Sequence, residues 1–285
     1  MVRAPRPAQG SLSLVHVSFS SKTRKVINVR ILNGGKVRFV AWNINRGGGQ
    51  RITEIVEEIK LLDPDFVALS EVTYGNLDGL RNSLTASGLV YTETTCEQGN
   101  AHSVLVASNR PIEIVPRTLP NDQERWLSVR IDSLDLNVLA VHIPDATTGK
   151  FKDGYGISGE RRKQNFWDEV IRYAQANKNE KTVLLGDLNT GLKEDAQGTP
   201  FKLSDNIRIL RLEKYVDAWR HLNAGRKEYT YYSQQNSRDY NGFRLDYVFV
   251  SALLRDRILK AEHVHHVRGA GKLSDHSIVL TELAI

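Results

Sequence analysis

The chain has 285 residues, 40% of them apolar, a net charge of +6 and a single cysteine, Cys96. That is enough apolar material for one sizeable core. It excludes a disulfide within the chain, argues against a thiolate-based zinc site and favours a reducing compartment.

The positive charge is uneven. Arg3, Arg6, Lys22, Arg24, Lys25, Arg30 and Lys36 are answered by no acidic residue before position 37, and the rest of the chain is close to neutral. A basic arm over 1–36 on a near-neutral body suits a polyanion, whether nucleic acid or an anionic membrane surface. Within it, SLSLVHVSF (11–19) and KVINVRI (25–31) alternate like the strands of a hairpin. The basic start is not followed by a signal-like apolar stretch, so a cytoplasmic protein is expected. Nor does any apolar run approach the roughly 20 residues a membrane span requires.

Past the arm, VRFVAWNI (37–44) predicts a buried strand. Ile52, Ile55, Val56, Ile59 and Leu62 keep helical spacing until Asp63–Pro64 stops them. FVALS (66–70) predicts a second buried strand, with a weaker helix over 76–86. Short strands are expected at 89–95, 103–108, 112–117, 126–132 and 136–142. A helix beginning at Ser158–Gly159–Glu160 puts Phe166, Val170, Ile171 and Ala174 on one face, and VLLG (183–186) is another buried strand. Segment 190–228 reads as loop-rich with short helices, and strands near 229–232, 245–250, 262–267 and 277–283 finish the chain. No fixed-period repeat is present. Strands predominate, and both halves carry polar clusters at strand ends, so residues 37–285 read as one α/β catalytic domain of two stacked sheets with helices outside.

Those clusters are Asn43 in AWNIN, Glu71 in VALSEV, His142 in LAVHIP, Asp187 and Asn189 in LLGDLN, and Asp275–His276 in KLSDHS. Asp246 opens its strand in RLDYVFV. Strand ends can aim side chains from distant parts of a chain at one point. Carboxylates, amides and imidazoles together can hold a hard divalent cation, steer a water and neutralise a phosphate. Glu71 is the first choice of metal ligand, with Asn43 adding an amide oxygen or positioning that carboxylate. Asp275 would face the metal or the nucleophilic water.

Asp187 and Asn189 alternate about Leu188 and can point the same way. Asp187 would orient or deprotonate the water, and Asn189 would hold the phosphate or the Asp. His276 would be a charged donor to a phosphate oxygen, with Asp246 on its other ring nitrogen. His142 is a candidate for leaving-group protonation or a second phosphate contact. Arg46 and Arg161 are candidate phosphate contacts, Asn100 and His102 candidate rim residues, and Tyr231 and Phe243 can stack on bases. His263, His265 and His266 read as structural, since no cysteine or acidic partner is spaced for zinc.

WNIN, SEV, VHIP, GDLN, LDYVFVS and SDHS occur in the order found in the endonuclease/exonuclease/phosphatase superfamily, which the chain resembles from about Val37 to Leu283. The resemblance implies a four-layer α/β sandwich, two packed mixed β-sheets flanked by helices. It also implies Mg²⁺-dependent cleavage of phosphate esters, with Mn²⁺ as a substitute. YTYYSQQNSRDYNGFRLDYVFVS (229–251) looks most like the apurinic endonucleases, where Tyr231, Phe243 and Leu245 would flank a pocket for the abasic sugar. His142 instead follows the deoxyribonuclease I pattern, and Ser70–Glu71–Val72 replaces the usual Gln-Glu-Thr. The expected partner is nucleic acid, DNA foremost, with no obligate protein partner evident. A phospholipid or small phosphate ester is the alternative substrate.

Overall fold

A computed structural model describes residues 35–99, 102–147, 156–235, 238–269 and 271–285. The basic arm up to residue 34, with both strands expected there, lies outside the described residues. The strands in chain order are β1 (Lys36–Asn43), β2 (Phe66–Val72), β3 (Tyr91–Thr94), β4 (Ser103–Ser108), β5 (Glu113–Ile114), β6 (Trp126–Ile131) and β7 (Leu136–His142). They continue with β8 (Thr182–Asp187), β9 (Val216–Asp217), β10 (Tyr231–Gln235), β11 (Arg238–Phe243), β12 (Asp246–Val250), β13 (Ile258–Val264) and β14 (Ile278–Ala284). The helices are α1 (Ile52–Leu62), α2 (Tyr74–Ala86), α3 (Gly159–Ala176), α4 (Asp205–Leu212) and α5 (Ala218–Leu222).

Two six-stranded mixed sheets form, in the orders β13-β14-β1-β2-β4-β3 and β5-β6-β7-β8-β12-β9. Each is centred on a parallel pair, β1 with β2 and β7 with β8, flanked by an antiparallel strand, β14 or β12. Central strands buried on both faces read as continuous apolar runs, which is how FVAW and VLLG look in the sequence. In β1, Val37, Phe39 and Ala41 enter the core between the sheets, while Val40 and Trp42 enter a second core. That second core holds Ile55, Val56 and Ile59 of α1 and Leu77, Leu80 and Leu84 of α2. A third core packs Phe166, Trp167 and Val170 of α3 and Ile207 and Leu210 of α4 against the other sheet. The result is the four-layer sandwich helix–sheet–sheet–helix.

Helix α1 ends where Asp63 takes the left-handed conformation, φ 51°, just before Pro64. Ile59 in this helix is completely buried. Ile59→Ala should therefore destabilise the protein by about 2–5 kcal/mol; the shift of the urea unfolding midpoint measures this, and a loss under about 1 kcal/mol would contradict the packing.

Two strands were not expected: the short edge strand β9, within the segment read as loop-rich, and β11. Segment 238–243 forms β11 and pairs with β10 as a separate two-stranded ribbon. A ribbon outside both sheets has no core to impose an apolar alternation, so its sequence carries little strand signal.

Candidate active site

Sheet register gathers the polar clusters. His142 pairs with Asp187 across β7 and β8, and Asp187 pairs with Asp246 across β8 and β12. Three neighbouring strand termini thus form one row. Gly186 permits this row: at φ 132° it lies so close to β7 that a Cβ would fall 2.0 Å from the Val141 carbonyl oxygen. The start of β12 is pinned by buried Arg244, which donates to Asp217 Oδ1 at 3.1 Å and to Asp195 Oδ2 at 2.5 Å.

In the other sheet, Asn43 pairs with Ser70, and the pairing of β2 with β4 shifts between Ser70 and Val72. Glu71 sits in that irregularity with φ 61°, a left-handed conformation unusual for a glutamate. A bulge re-aims a side chain out of the strand's alternation. Here Glu71 meets the Asn43 amide, whose Nδ2 donates to Glu71 Oε1 at 3.1 Å. The Arg46 backbone N–H donates to Glu71 Oε2 at 2.9 Å.

The two sheets meet at Asp187, which is buried. Its Oδ2 accepts from Asn43 Nδ2 at 3.0 Å and from Asn189 Nδ2 at 3.4 Å. Its Oδ1 accepts from the Asn189 backbone N–H at 2.8 Å. His142 Nε2 and His276 Nε2 stand 3.7 and 3.9 Å from the same Oδ2. Asn43 therefore joins the carboxylates of Glu71 and Asp187 through its amide nitrogen, while its Oδ1 accepts from the Asn45 N–H at 3.0 Å. Burial first, then the neighbouring Asp246, raises the Asp187 pKa above the ordinary carboxylate range, against the pull of His276 and the Asn donors.

His276 has the opposite balance. Burial disfavours its charged form, but Asp246 and Asp187 beside it outweigh that and push its pKa up to about 10. His276 Nδ1 lies 2.8 Å from Asp246 Oδ2, which leaves Nε2 facing Asp187. The Tyr231 ring covers His276 with centroids 4.9 Å apart, and Phe201 meets both Tyr231 and Phe243 at 6.4 and 4.9 Å. Asp275 lies next to His276, with its Oδ1 3.5 Å from Ser274 Oγ.

His142 is held differently. Its Nδ1 lies 3.3 Å from Arg125 Nη1 and 3.4 Å from the His102 carbonyl oxygen. Burial, reinforced by the Arg125 charge, lowers its pKa well below the ordinary imidazole value. The His102 ring packs edge-on against it at 5.5 Å and is lowered to about 4, again mainly by burial. Arg46 and Arg161 are exposed. Arg162, beside Arg161, is instead buried, with its Nε 2.7 Å from Asp122 Oδ2. Asn100 lies outside the described residues.

Three residues of this site escaped the sequence reading, the aromatic Phe201 and two cations. Arg125 is buried beside His142 with its Nε 3.2 Å from Asp122 Oδ1. Lys163 is fully buried, and its Nζ donates to the Asn189 carbonyl oxygen at 2.5 Å. Burial lowers the Lys163 pKa to about 8, opposed by the charge of Asp187. A signal for Lys163 existed: it lies on the inward stripe of α3 with Phe166, Trp167, Val170 and Ala174, where a lysine needs a reason. The histidine reading also needs correction. His263 and His265 do have an acidic partner, Glu228, which lies far from them in sequence and meets them only through tertiary folding. His266 pairs separately with Glu58 at 2.9 Å.

The donor set fits a hard divalent cation. Glu71, Asp187 and Asp246 crowd one end of the sandwich, and Asp246 Oδ1 is buried with no hydrogen-bond partner. Ligand atoms of Glu71, His102 and His142 lie within 4.8 Å of one another, as do those of Asp187, Asp246 and His276. The oxygen donors in these clusters, the carboxylates of Glu71, Asp187 and Asp246, are of the kind that Mg²⁺ and its relatives take. Asp275 belongs to neither group among the described residues.

Two mixed sheets packed as a sandwich carry this site at their shared end. The profile of the Endonuclease/Exonuclease/phosphatase family matches residues 40–276, and the chain belongs to that family. Family members are divalent-metal-dependent nucleases and phosphatases, and hydrolysis of phosphate esters is this chain's chemistry at that level.

Solved structures agree on the fold. An AP endonuclease from Archaeoglobus fulgidus superposes with a TM-score of 0.73 at 16% identity, covering 87% of this chain and 100% of its own. A point variant of the 3' phosphatase NExo from Neisseria, bound to product DNA hairpin, gives 0.69 at 16% identity, covering 87% and 99%. The 3'-5' exonuclease NExo from Neisseria meningitidis gives 0.69 at 16%, covering 87% and 100%. No match was found among curated proteins. Among the described residues, no helix is long and apolar enough to cross a membrane.

Proposed function

We propose that this chain is a Mg²⁺-dependent phosphodiesterase that cuts the DNA backbone as an endonuclease, with Mn²⁺ able to substitute. The observation that carries this reading is the meeting of both sheets at Asp187, with Asn43 bridging it to Glu71 and His276 Nε2 at 3.9 Å. Glu71, Asn43 and Asp275 would hold the cation, which when bound supplies Lewis-acid polarisation of the phosphate and eases deprotonation of water.

The chain's own groups do the rest. Asp187, with its raised pKa, accepts a proton from the attacking water as the water oxygen bonds to phosphorus. The P–O3′ bond breaks opposite, leaving a 5′-phosphate and a 3′ oxygen that takes up a proton. His276, charged through its contact with Asp246, donates from Nε2 to a non-bridging oxygen as negative charge builds. His142, neutral at pH 7, offers an N–H to phosphate or leaving group. Asn189 and Lys163 keep the Asp187 turn in place. The aromatic surface of Tyr231, Phe201 and Phe243 beside His276 supports a base or deoxyribose as the neighbouring substrate part.

Supercoiled plasmid tests the reading. Purified protein with Mg²⁺ should convert it to nicked circles, and chelation by EDTA should abolish the conversion. Abasic duplex, single-stranded DNA, RNA and phospholipid vesicles complete the panel. Cleavage of RNA or lipid with no cut in any DNA would overturn the DNA assignment; Mg²⁺-independent nicking would overturn the metal role.

A further inference from the structure

A second convergence lies away from Asp187, where the end of edge strand β13 meets the segment entering the β10–β11 ribbon. His263 and His265 are two residues apart in the chain, and their ring centroids lie 5.8 Å apart. Glu228 approaches them with a single oxygen: Oε2 is 3.1 Å from His263 Nδ1 and 3.3 Å from His265 Nε2. The three donor atoms lie within 4.8 Å of one another. Around an ion held at about 2.0–2.2 Å, tetrahedral donors stand about 3.3–3.5 Å apart. Both carboxylate–imidazole separations are already close to that spacing, and the two imidazole nitrogens lie within 4.8 Å of each other.

The surroundings also resemble a built site. His265 Nδ1 lies 2.9 Å from Ser277 Oγ, so an ion on Nε2 leaves Nδ1–H free to donate to Ser277. Such an outer hydrogen bond fixes the tautomer and orientation of a metal-binding histidine. The His263 ring is stacked on Trp219, with centroids 4.8 Å apart and planes 20° from parallel, which sets its direction. The His263 side chain is fully buried, whereas that of His265 is 38% exposed. Three protein donors and a solvent-facing side leave a place for one water.

We propose that Glu228, His263 and His265 form a second metal site, separate from the Asp187 centre, that takes a zinc-type transition-metal ion. Two imidazoles and one carboxylate suit Zn²⁺, whereas Mg²⁺ prefers oxygen donors alone. The ion's role is to brace. Ser277 follows His276 in the chain, and its backbone N–H donates to the Thr230 carbonyl oxygen at 2.8 Å. An ion here ties the end of β13 to the two segments that carry His276 and Tyr231.

Metal-free full-length protein, titrated with Co²⁺ by visible spectroscopy and with Zn²⁺ against a chromophoric chelator, tests the site. One equivalent should bind with the intense bands of four-coordinate Co²⁺, and that equivalent should survive Asp187→Ala. Glu228→Gln and His265→Gln, both at partly exposed positions, should each weaken it by about 100-fold or more. Zn²⁺ should raise the Tm of the parent protein and leave that of Glu228→Gln unchanged, while metal-free circular dichroism matches among all forms. Absence of a stoichiometric equivalent would overturn the proposal. So would binding that is untouched in Glu228→Gln and His265→Gln but lost in Asp187→Ala.

Discussion

Asp187→Ala should lower Mg²⁺-dependent nicking by about 10²–10⁴-fold, the range expected when a positioned general base is removed. The side chain accepts three hydrogen bonds, from Asn43 and twice from Asn189, and stands within 4 Å of two imidazoles. Among the described residues no other carboxylate makes these contacts, so no neighbour can take over. Stability should not fall with activity. A buried carboxylate whose pKa is raised on folding disfavours the folded state above its unfolded pKa. At pH 8, in chelator, the gain from removing it opposes the loss of the Asn43, Asn189 and His276 contacts, so the urea midpoint of Asp187→Ala should stay close to that of the parent protein. Loss of activity accompanied by a large loss of stability would mean that Asp187 is structural.

The second large effect is expected at His276. His276→Gln keeps a neutral donor but loses the charge, and turnover should fall by about 10²–10³-fold. Asp246→Asn tests the origin of that charge through the pH profile. His276 is raised from 6.5 to about 10, chiefly by Asp246 among the attractive partners, so it stays protonated across the neutral range. Without the Asp246 carboxylate the imidazole should lose its proton nearer its ordinary value. Activity of Asp246→Asn should then decline as pH rises above about 7, where the parent remains active. Parallel profiles from pH 6 to 9 would show that Asp246 does not set the His276 charge. Metal content, measured in both proteins, separates this from a loss of the cation.

Much of this architecture was legible because strand termini have a simple linear signature. VRFVAWN, FVALSEV, LNVLAVH, VLLGD and DYVFV are mainly apolar runs with polar residues at or near one end, and a run buried on both faces needs little alternation to be seen. Asn43, Glu71, His142, Asp187 and Asp246 stand at or near those boundaries, so their common location followed from the sheets. What the sequence could not supply was direction. The left-handed backbone at Glu71 depends on a pairing irregularity with β4, which no local pattern encodes. Arg125 and Lys163 owe their roles to burial beside His142 and Asn189, and residue type alone predicts the reverse, a solvated cation. Glu228 joins His263 and His265 from another segment. Such pairings appear only once the chain is folded.

The central claim is that residues from both sheets act as one catalytic unit, and a double-mutant cycle of Asp187→Ala and His276→Ala tests it most directly. Single-turnover nicking rates in saturating Mg²⁺ would be compared for the parent, each single variant and the pair. Groups serving one transition state lose their value together, so the double variant should be about as slow as the slower single one. Fully multiplicative losses would place the imidazole and the carboxylate in separate roles and contradict a shared centre.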